Sequence, residues 1–233
     1  MKFTLSPSKL NVLRECPRCF YDANMNGIVR PRGPFPSLPG GIDIVMKKYL
    51  ANYCGNLPPI LTGEVPGKLY ADAAKLKRWQ FWRTAPMFED KRMDVAVYGA
   101  IDNLLVQVDN SVDPLDVKTK GSEPKTDGSE YYQLQMDIYN LLFSVNGFKV
   151  NNRAFLLYLY PAIACEEINT IKEEMPADQI VMLFKRKVFE IKCSTDRARE
   201  TIKTAVEILN GPRPESNPDC EYCNWLNLTT GIK

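Results

Sequence analysis

Two C-x-x-C pairs stand at opposite ends of the 233-residue chain, Cys16/Cys19 near the start and Cys220/Cys223 near the end. One such pair chelates an ion through two thiolates, and two pairs together make a four-thiolate site suited to zinc or to an iron–sulfur cluster. A shared metal centre would clamp the two ends of the chain together, and its first contribution would be to folding. The competing reading of the same spacing is two unrelated pairs, or a redox dithiol. Of seven cysteines the other three, Cys54, Cys165 and Cys193, stand alone in apolar or mixed surroundings and read as ordinary buried thiols. An odd cysteine count without an export signal argues against a disulfide framework.

The chain contains no histidine, which excludes Ser-His-Asp and Cys-His nucleophile systems and every His-containing zinc or iron site. Chemistry must then come from carboxylate, lysine, cysteine or tyrosine. A formal net charge of +2 neither demands nor forbids a polyanionic partner, and leaves room for a local basic groove. No apolar run approaches the roughly 20 residues that span a bilayer, and the first residues lack a signal-peptide apolar stretch, so the expectation is a cytoplasmic protein with no membrane partner.

Along the chain, Ser6-Pro7 followed by Leu10 and Leu13 predicts a serine-capped helix that breaks at Cys16-Pro17. The proline- and glycine-rich stretch 30–41 predicts a loop, and 42–50 a helix ended by Pro58-Pro59. Residues 71–83 predict another helix, carrying Trp79, Phe81 and Trp82 among Lys75, Lys77, Arg78 and Arg83. Those aromatics are either core or a stacking platform for single-stranded DNA. From Asp94 the pattern is β: a strand through 95–108, a polar turn at Asp109-Asn110-Ser111, and a second strand at 114–119, together a hairpin. A long apolar helix over 131–145, a strand over 153–160 apolar enough to be central, a weaker strand region over 179–193 and a capped helix over 195–210 complete the order. No repeat or linker interrupts it.

Residues two apart share one face of a strand, so Asp116 and Lys118 project together while Leu115 and Val117 pack on the other side. In a suitable hairpin register Asp102 lies beside Asp116. Two adjacent carboxylates are unfavourable unless a cation neutralises them, and an all-oxygen pair without histidine suits Mg²⁺ or Mn²⁺. Such a pair can hold a phosphodiester oxygen and activate water while the lysine orients it. Read alone, the same residues are an exposed hairpin face with surface ion pairs of little consequence.

The context resembles the PD-(D/E)xK nuclease superfamily. Its RecB-like branch runs G-x-x-D, then D-x-K-T, then Q-x-x-x-Y, and here Gly99 to Asp102, Asp116 to Thr119, and Gln135 with Tyr139 follow that order. The start of the chain is similar as well: Leu5-Ser6-Pro7-Ser8-Lys9-Leu10 and Cys16-Pro17-Arg18-Cys19-Phe20-Tyr21 match S-x-S-x-L and C-P-R-x-F-Y. The resemblance implies a restriction-endonuclease-like α/β fold, a central mixed β-sheet flanked by helices, with a cysteine-clamped helical collar joining the N- and C-termini. It implies a single domain over 1–233, with the collar from 1–30 and 211–233 and the catalytic core over about 40–210. It also implies a Mg²⁺- or Mn²⁺-dependent deoxyribonuclease, an exonuclease on single strands or DNA ends, working with DNA repair or CRISPR adaptation proteins. Asp102 and Asp116 would be metal ligands, Lys118 would orient water, and Gln135 and Tyr139, four apart on one helix face, would contact the substrate backbone. Lys120 would touch phosphate or sit in solvent.

Two departures matter. In CRISPR-associated RecB-type exonucleases and the AddB nuclease domain, one early and three late cysteines hold a [4Fe-4S] cluster. Here the split is two and two, with Cys19 replacing the third late ligand, which keeps zinc as the alternative to [4Fe-4S]. Many relatives carry a histidine in the helix before the hairpin; Asp43 occupies that place, either as a further metal ligand or as an acid complementing the helix dipole. The reading from a different class is a non-catalytic nucleic-acid-binding or assembly subunit, against which intact Asp102, Asp116 and Lys118 argue.

Overall fold

The computed structural model describes residues 2–31, 33, 37–162 and 182–230. Cys165 and residues 179–181 of the weak strand region lie outside these. The elements, in chain order, are β1 (Phe3–Leu5), α1 (Pro7–Glu15), α2 (Pro17–Tyr21), α3 (Ser37–Ala51), β2 (Lys68–Leu69), α4 (Ala73–Trp79), β3 (Met87–Asp90), β4 (Val95–Tyr98), β5 (Asn103–Val106), β6 (Val112–Thr119), α5 (Ser129–Val145), β7 (Arg153–Pro161), β8 (Phe184–Lys192), α6 (Thr195–Asn210) and α7 (Glu221–Thr230). The five-stranded sheet runs β2-β5-β6-β7-β8, and only its β6/β7 pair is parallel. A smaller sheet, β1-β4-β3, joins the start of the chain in parallel to β4. This is the restriction-endonuclease-like mixed sheet with flanking helices.

The alternation in β6 does what period two requires. Leu115 and Val117 enter one apolar cluster with Leu105, Phe155, Leu157 and Leu159, backed by Leu50 of α3. The opposite face, carrying Leu104, Leu156 and Tyr158, packs under Leu134, Ile138, Leu141 and Leu142 of α5 and under α6. Asp116 points to this second side and is 2% exposed. A carboxylate has therefore been placed inside the main core.

The single strand expected over 95–108 is two. Gly99 to Asp102 leave extended pairing, so β4 joins the small sheet and β5 the large one, and the hairpin proper is β5–β6. Gly99 makes the crossing possible: a Cβ there would lie 2.9 Å from Tyr139 Cε1 and 3.0 Å from Leu142 Cδ1. The helix expected from 42 begins at Ser37, because Pro39 sits in the first turn, where its missing N–H costs no hydrogen bond. The helix expected over 71–83 spans Ala73–Trp79 only; Asp72 caps it, its side chain accepting from Lys75 N at 2.8 Å. Helix α6 occupies the expected 195–210, with Ser194 as its cap.

Candidate active site

The collar is built from two matching helix starts. Cys16 immediately precedes α2 and Cys220 immediately precedes α7, so in each pair the second cysteine falls in the first helical turn, on the same side as the first. The Cys16 carbonyl accepts from Phe20 N (3.1 Å) and the Cys220 carbonyl from Asn224 N (2.9 Å), the same closure at both ends of the chain. All four sulfurs lie within 4.8 Å of one another and all four residues are buried. Cys19 Sγ is 3.4 Å from Cys223 Sγ and 3.6 Å from Cys220 Sγ, and Cys16 Sγ is 3.8 Å from Cys223 Sγ. Burial alone would raise the Cys16 thiol, but N–H groups of Cys19 and Asn217 and the neighbouring thiols bring it down to about 7. Arg30 donates to Cys220 Sγ at 3.4 Å. Buried Asp22 accepts two bonds from Arg213, at 2.8 and 2.6 Å, a second tie between the ends. Of the lone cysteines, Cys193 is buried and Cys54 half-buried.

The second cluster lies at the mouth of the β5–β6 hairpin. Asn103 pairs with Leu115, so Asp102, one residue earlier, comes beside Asp116, and its Oδ2 accepts from Val117 N at 2.9 Å. Asp116 Oδ2 is 2.6 Å from Lys118 Nζ, a short buried ion pair. Asp116 Oδ1 accepts from Gln135 Nε2 at 3.2 Å. Gln135 also donates to Tyr139 Oη (2.6 Å) and accepts from Lys118 Nζ (3.3 Å), and Tyr139 Oη donates to the Ala100 carbonyl at 2.6 Å. One helix face thus ties the carboxylate, the lysine and the crossing strand. Tyr139 is both core and network, being 4% exposed with its hydroxyl fully engaged.

Burial pushes the Asp116 carboxyl up to about 7; Lys118 opposes this and the nearby Asp102 adds to it. Burial would lower the Lys118 ammonium, but Asp116 and Asp102 hold it above its usual value. Lys118 Nζ also sits 4.4 Å over the Tyr132 ring.

Lys47 completes the cluster and was not among the residues expected from sequence. Its Nζ lies 3.0 Å from Asp102 Oδ1 and 2.8 Å from Asp43 Oδ2. Asp43 is the seventh residue of α3 rather than an acid of its first turn, so the dipole explanation fails, and its position is set by this i,i+4 pair. Asp43 therefore reaches the cluster through Lys47. Lys120 is exposed, 5.5 Å over the Tyr158 ring, and shares no contact with the cluster.

A sequence profile of the PD-(D/E)XK nuclease superfamily matches residues 62–228, most of the chain, and that stretch carries Asp102, Asp116, Lys118, Gln135 and Tyr139. The chain belongs to the PD-(D/E)XK nuclease superfamily. Its fold is similar to that of a crystal structure of SSO0001, with a TM-score of 0.51 at 16% identity, over 98% of this chain and 86% of that one. None of the curated proteins matches the sequence. PD-(D/E)XK proteins are generally nucleases that use divalent metals, and the donor set here fits one. It offers two adjacent carboxylates with only oxygen ligands, and a buried Asp116 Oδ2 whose one close partner is the Lys118 ammonium. In the superfamily frame, Gly99 is the glycine that lets Tyr139 pass. Gly99→Ala is expected to displace the Tyr139 ring, destabilise the protein by about 1–3 kcal/mol and loosen Gln135. Thermal denaturation beside a cleavage assay checks this; unchanged values for both would show that the crossing tolerates a side chain.

Proposed function

We propose that this PD-(D/E)XK protein is a Mg²⁺- or Mn²⁺-dependent deoxyribonuclease acting as an exonuclease on single strands or DNA ends, with the whole chain as one catalytic unit. The observation that carries the reading is Asp116, a buried carboxylate beside Asp102 and paired with Lys118 at 2.6 Å, its pKa raised by burial. Asp102 and Asp116 would hold the ion, which supplies a Lewis acid at the phosphodiester and a bound water of lowered pKa. Lys118 is positioned by Asp116 and Gln135 to donate to the attacking water and to steady charge developing on phosphate. Gln135 fixes both partners, and Tyr139 fixes Gln135 to the backbone before β5. Lys47 neutralises Asp102 and Asp43, and its movement from Asp102 would free an oxygen for the ion. The finer kinship with RecB-like, CRISPR-associated and AddB nucleases rests on the motif order and on the two ends of the chain meeting at the cysteines.

The four thiolates would form a structural metal centre. A single ion with Zn–S bonds of about 2.3 Å separates its sulfurs by a little under 4 Å, and the observed 3.4–3.8 Å contacts support zinc. A [4Fe-4S] cluster, binding each sulfur to a different iron, would require the pairs to move apart. Iron and zinc analysis of the purified protein separates the two.

The test of the nuclease is incubation of anaerobically purified protein with end-labelled single- and double-stranded DNA in Mg²⁺, Mn²⁺ or EDTA. Cutting in either ion, none in EDTA, and a ladder from one end are expected. No cutting by folded, metal-loaded protein would move the reading to a binding subunit.

A further inference from the structure

The segment between α4 and β3 carries aromatic residues that the catalytic cluster does not use. Trp79, grouped with them in the sequence, belongs to the core, 8% exposed and packed against Tyr70, Phe143 and Phe148. Phe81 and Trp82 are different: 46% and 52% exposed, with the Arg83 guanidinium 5.6 Å and 4.6 Å over their rings. With the guanidinium over them, the two rings form a small aromatic and cationic patch at the surface. The Trp82 ring lies 5.9 Å from that of Tyr98, the last residue of β4.

These rings border a cleft of about 330 Å³ whose wall includes Trp82, Tyr98, Ser8, Asn11, Gln135 and Tyr139. The last two are the residues that hold Asp116 and Lys118, so the cleft opens beside the candidate catalytic cluster. Its aromatic wall is fixed to the same cluster: Gln80 Nε2 donates to the Asp102 carbonyl at 2.7 Å, and Ile101 N donates to the Trp79 carbonyl at 3.2 Å. The Asn11 amide makes no hydrogen bond among the described residues, which leaves a donor and an acceptor for a ligand edge.

We infer that this cleft is a subsite for one unpaired nucleotide next to the scissile phosphate, its base stacked on Trp82, with Arg83 toward the phosphate backbone and Asn11 at the base edge. The inference rests on the nuclease reading above and deepens it. A base inside a duplex has both faces covered by its neighbours, so a stacking wall accepts only an unpaired or terminal base. The cleft would thereby select single strands and frayed ends over continuous duplex, through the geometry of α4 and β4 rather than through the catalytic residues. A protein partner would also cover exposed aromatics, but the guanidinium over the rings and the continuity with Gln135 and Tyr139 favour nucleic acid.

The test measures binding of a short end-labelled single-stranded oligonucleotide in EDTA, where no cutting occurs, by wild type, Trp82→Ala and Trp82→Phe. Alanine is expected to weaken binding about 5- to 10-fold, the low end for one stacked base, and phenylalanine to restore most of it. Covalently closed duplex, which has no terminal base, should bind all three equally. In Mn²⁺ with wild type, an abasic position walked along the strand should slow cutting at one place only, beside the cut, and this needs no variant to fold. Equal binding of the single strand by Trp82→Ala, equal loss on covalently closed duplex, or an abasic walk with no position dependence would each overturn the subsite. Failure of wild type to cut while Trp82 still governs binding would overturn the nuclease instead.

Discussion

Asp116→Ala is expected to lower metal-dependent cleavage by about 10³-fold or more while the protein stays folded. Asp116 touches Lys118 through one oxygen and Gln135 through the other, so its loss removes a metal ligand and releases the lysine together. Asp116→Asn is the sharper variant. It keeps the shape and a carbonyl for Gln135 but cannot carry the charge that attracts a divalent ion. Circular dichroism and thermal denaturation should show both variants folded, and Asn should be as inactive as Ala within about tenfold. Activity above one tenth of wild type in either would remove Asp116 from the chemistry. The raised carboxyl also gives the pH dependence its sign. Burial favours the protonated form, so below about 7 the ion must displace a proton from Asp116, and above that it need not. The concentration of Mg²⁺ or Mn²⁺ giving half-maximal cutting should therefore rise as pH falls below about 7, approaching tenfold per unit for one displaced proton. A half-maximal concentration flat from pH 8 to pH 5, at about the same metal level, would mean that Asp116 is already ionised without the ion.

If the four thiolates hold a metal as proposed, removing it, or changing Cys16 and Cys220 together to serine, should lower the melting temperature by about 10 °C or more. The reason is in the packing. Phe3, Leu5, Leu10, Leu13 and Phe20 anchor the N-terminal end in the main core, whereas among the described residues beyond α6 only Cys220 and Cys223 are buried hydrophobics, so little apolar surface holds the C-terminal arm once the thiolate cluster is opened. What then ties this arm to the N-terminal end is polar: Arg18 with Glu215 at 2.9 Å and with the Pro214 carbonyl, Asn217 Nδ2 on the Glu15 carbonyl, and Arg213 on Asp22. The Glu215 pair is exposed and contributes little, which leaves the bidentate pair on buried Asp22 as the main remaining tie. Limited proteolysis of chelated protein should therefore cut first in the C-terminal arm after α6, while the five-stranded sheet, α5 and the N-terminal helices, which share the main core, persist. Calorimetry, metal analysis and peptide mapping read all three. A metal-free protein of unchanged melting temperature would make the cysteine cluster an ordinary buried contact.

Much of this was legible in the residues. The alternation of β6 placed Asp116 and Lys118 on one face, and the four-residue spacing of α5 placed Gln135 and Tyr139 on another, because both periods belong to the local backbone. The C-x-x-C spacing brought four thiols to one place without any knowledge of the chain between them, since ligand type and count carry that information. The cap at Ser194 and the stop at Gly211 set α6 for the same local reason.

The rest came from contacts between distant segments. Local sequence gave no reason to divide 95–108; the division follows from β1 and β3 claiming β4 while β6 claims β5, with Gly99 admitting Tyr139 at the crossing. Lys47 joined the cluster because α3 packs against β6, and the only sequence trace of it was its i,i+4 spacing from Asp43. Trp79 went into the core while Trp82, three residues on, stayed on the surface, because α4 ends between them. The sequence by itself determined which groups stand as candidates for the chemistry, Lys47 excepted, and which face of its own element each occupies, through short-range periodicity and capping. Only the tertiary structure decided how deeply Asp116 is buried and what stands opposite it, because burial and charge pairing depend on the register and packing of segments that no local rule connects.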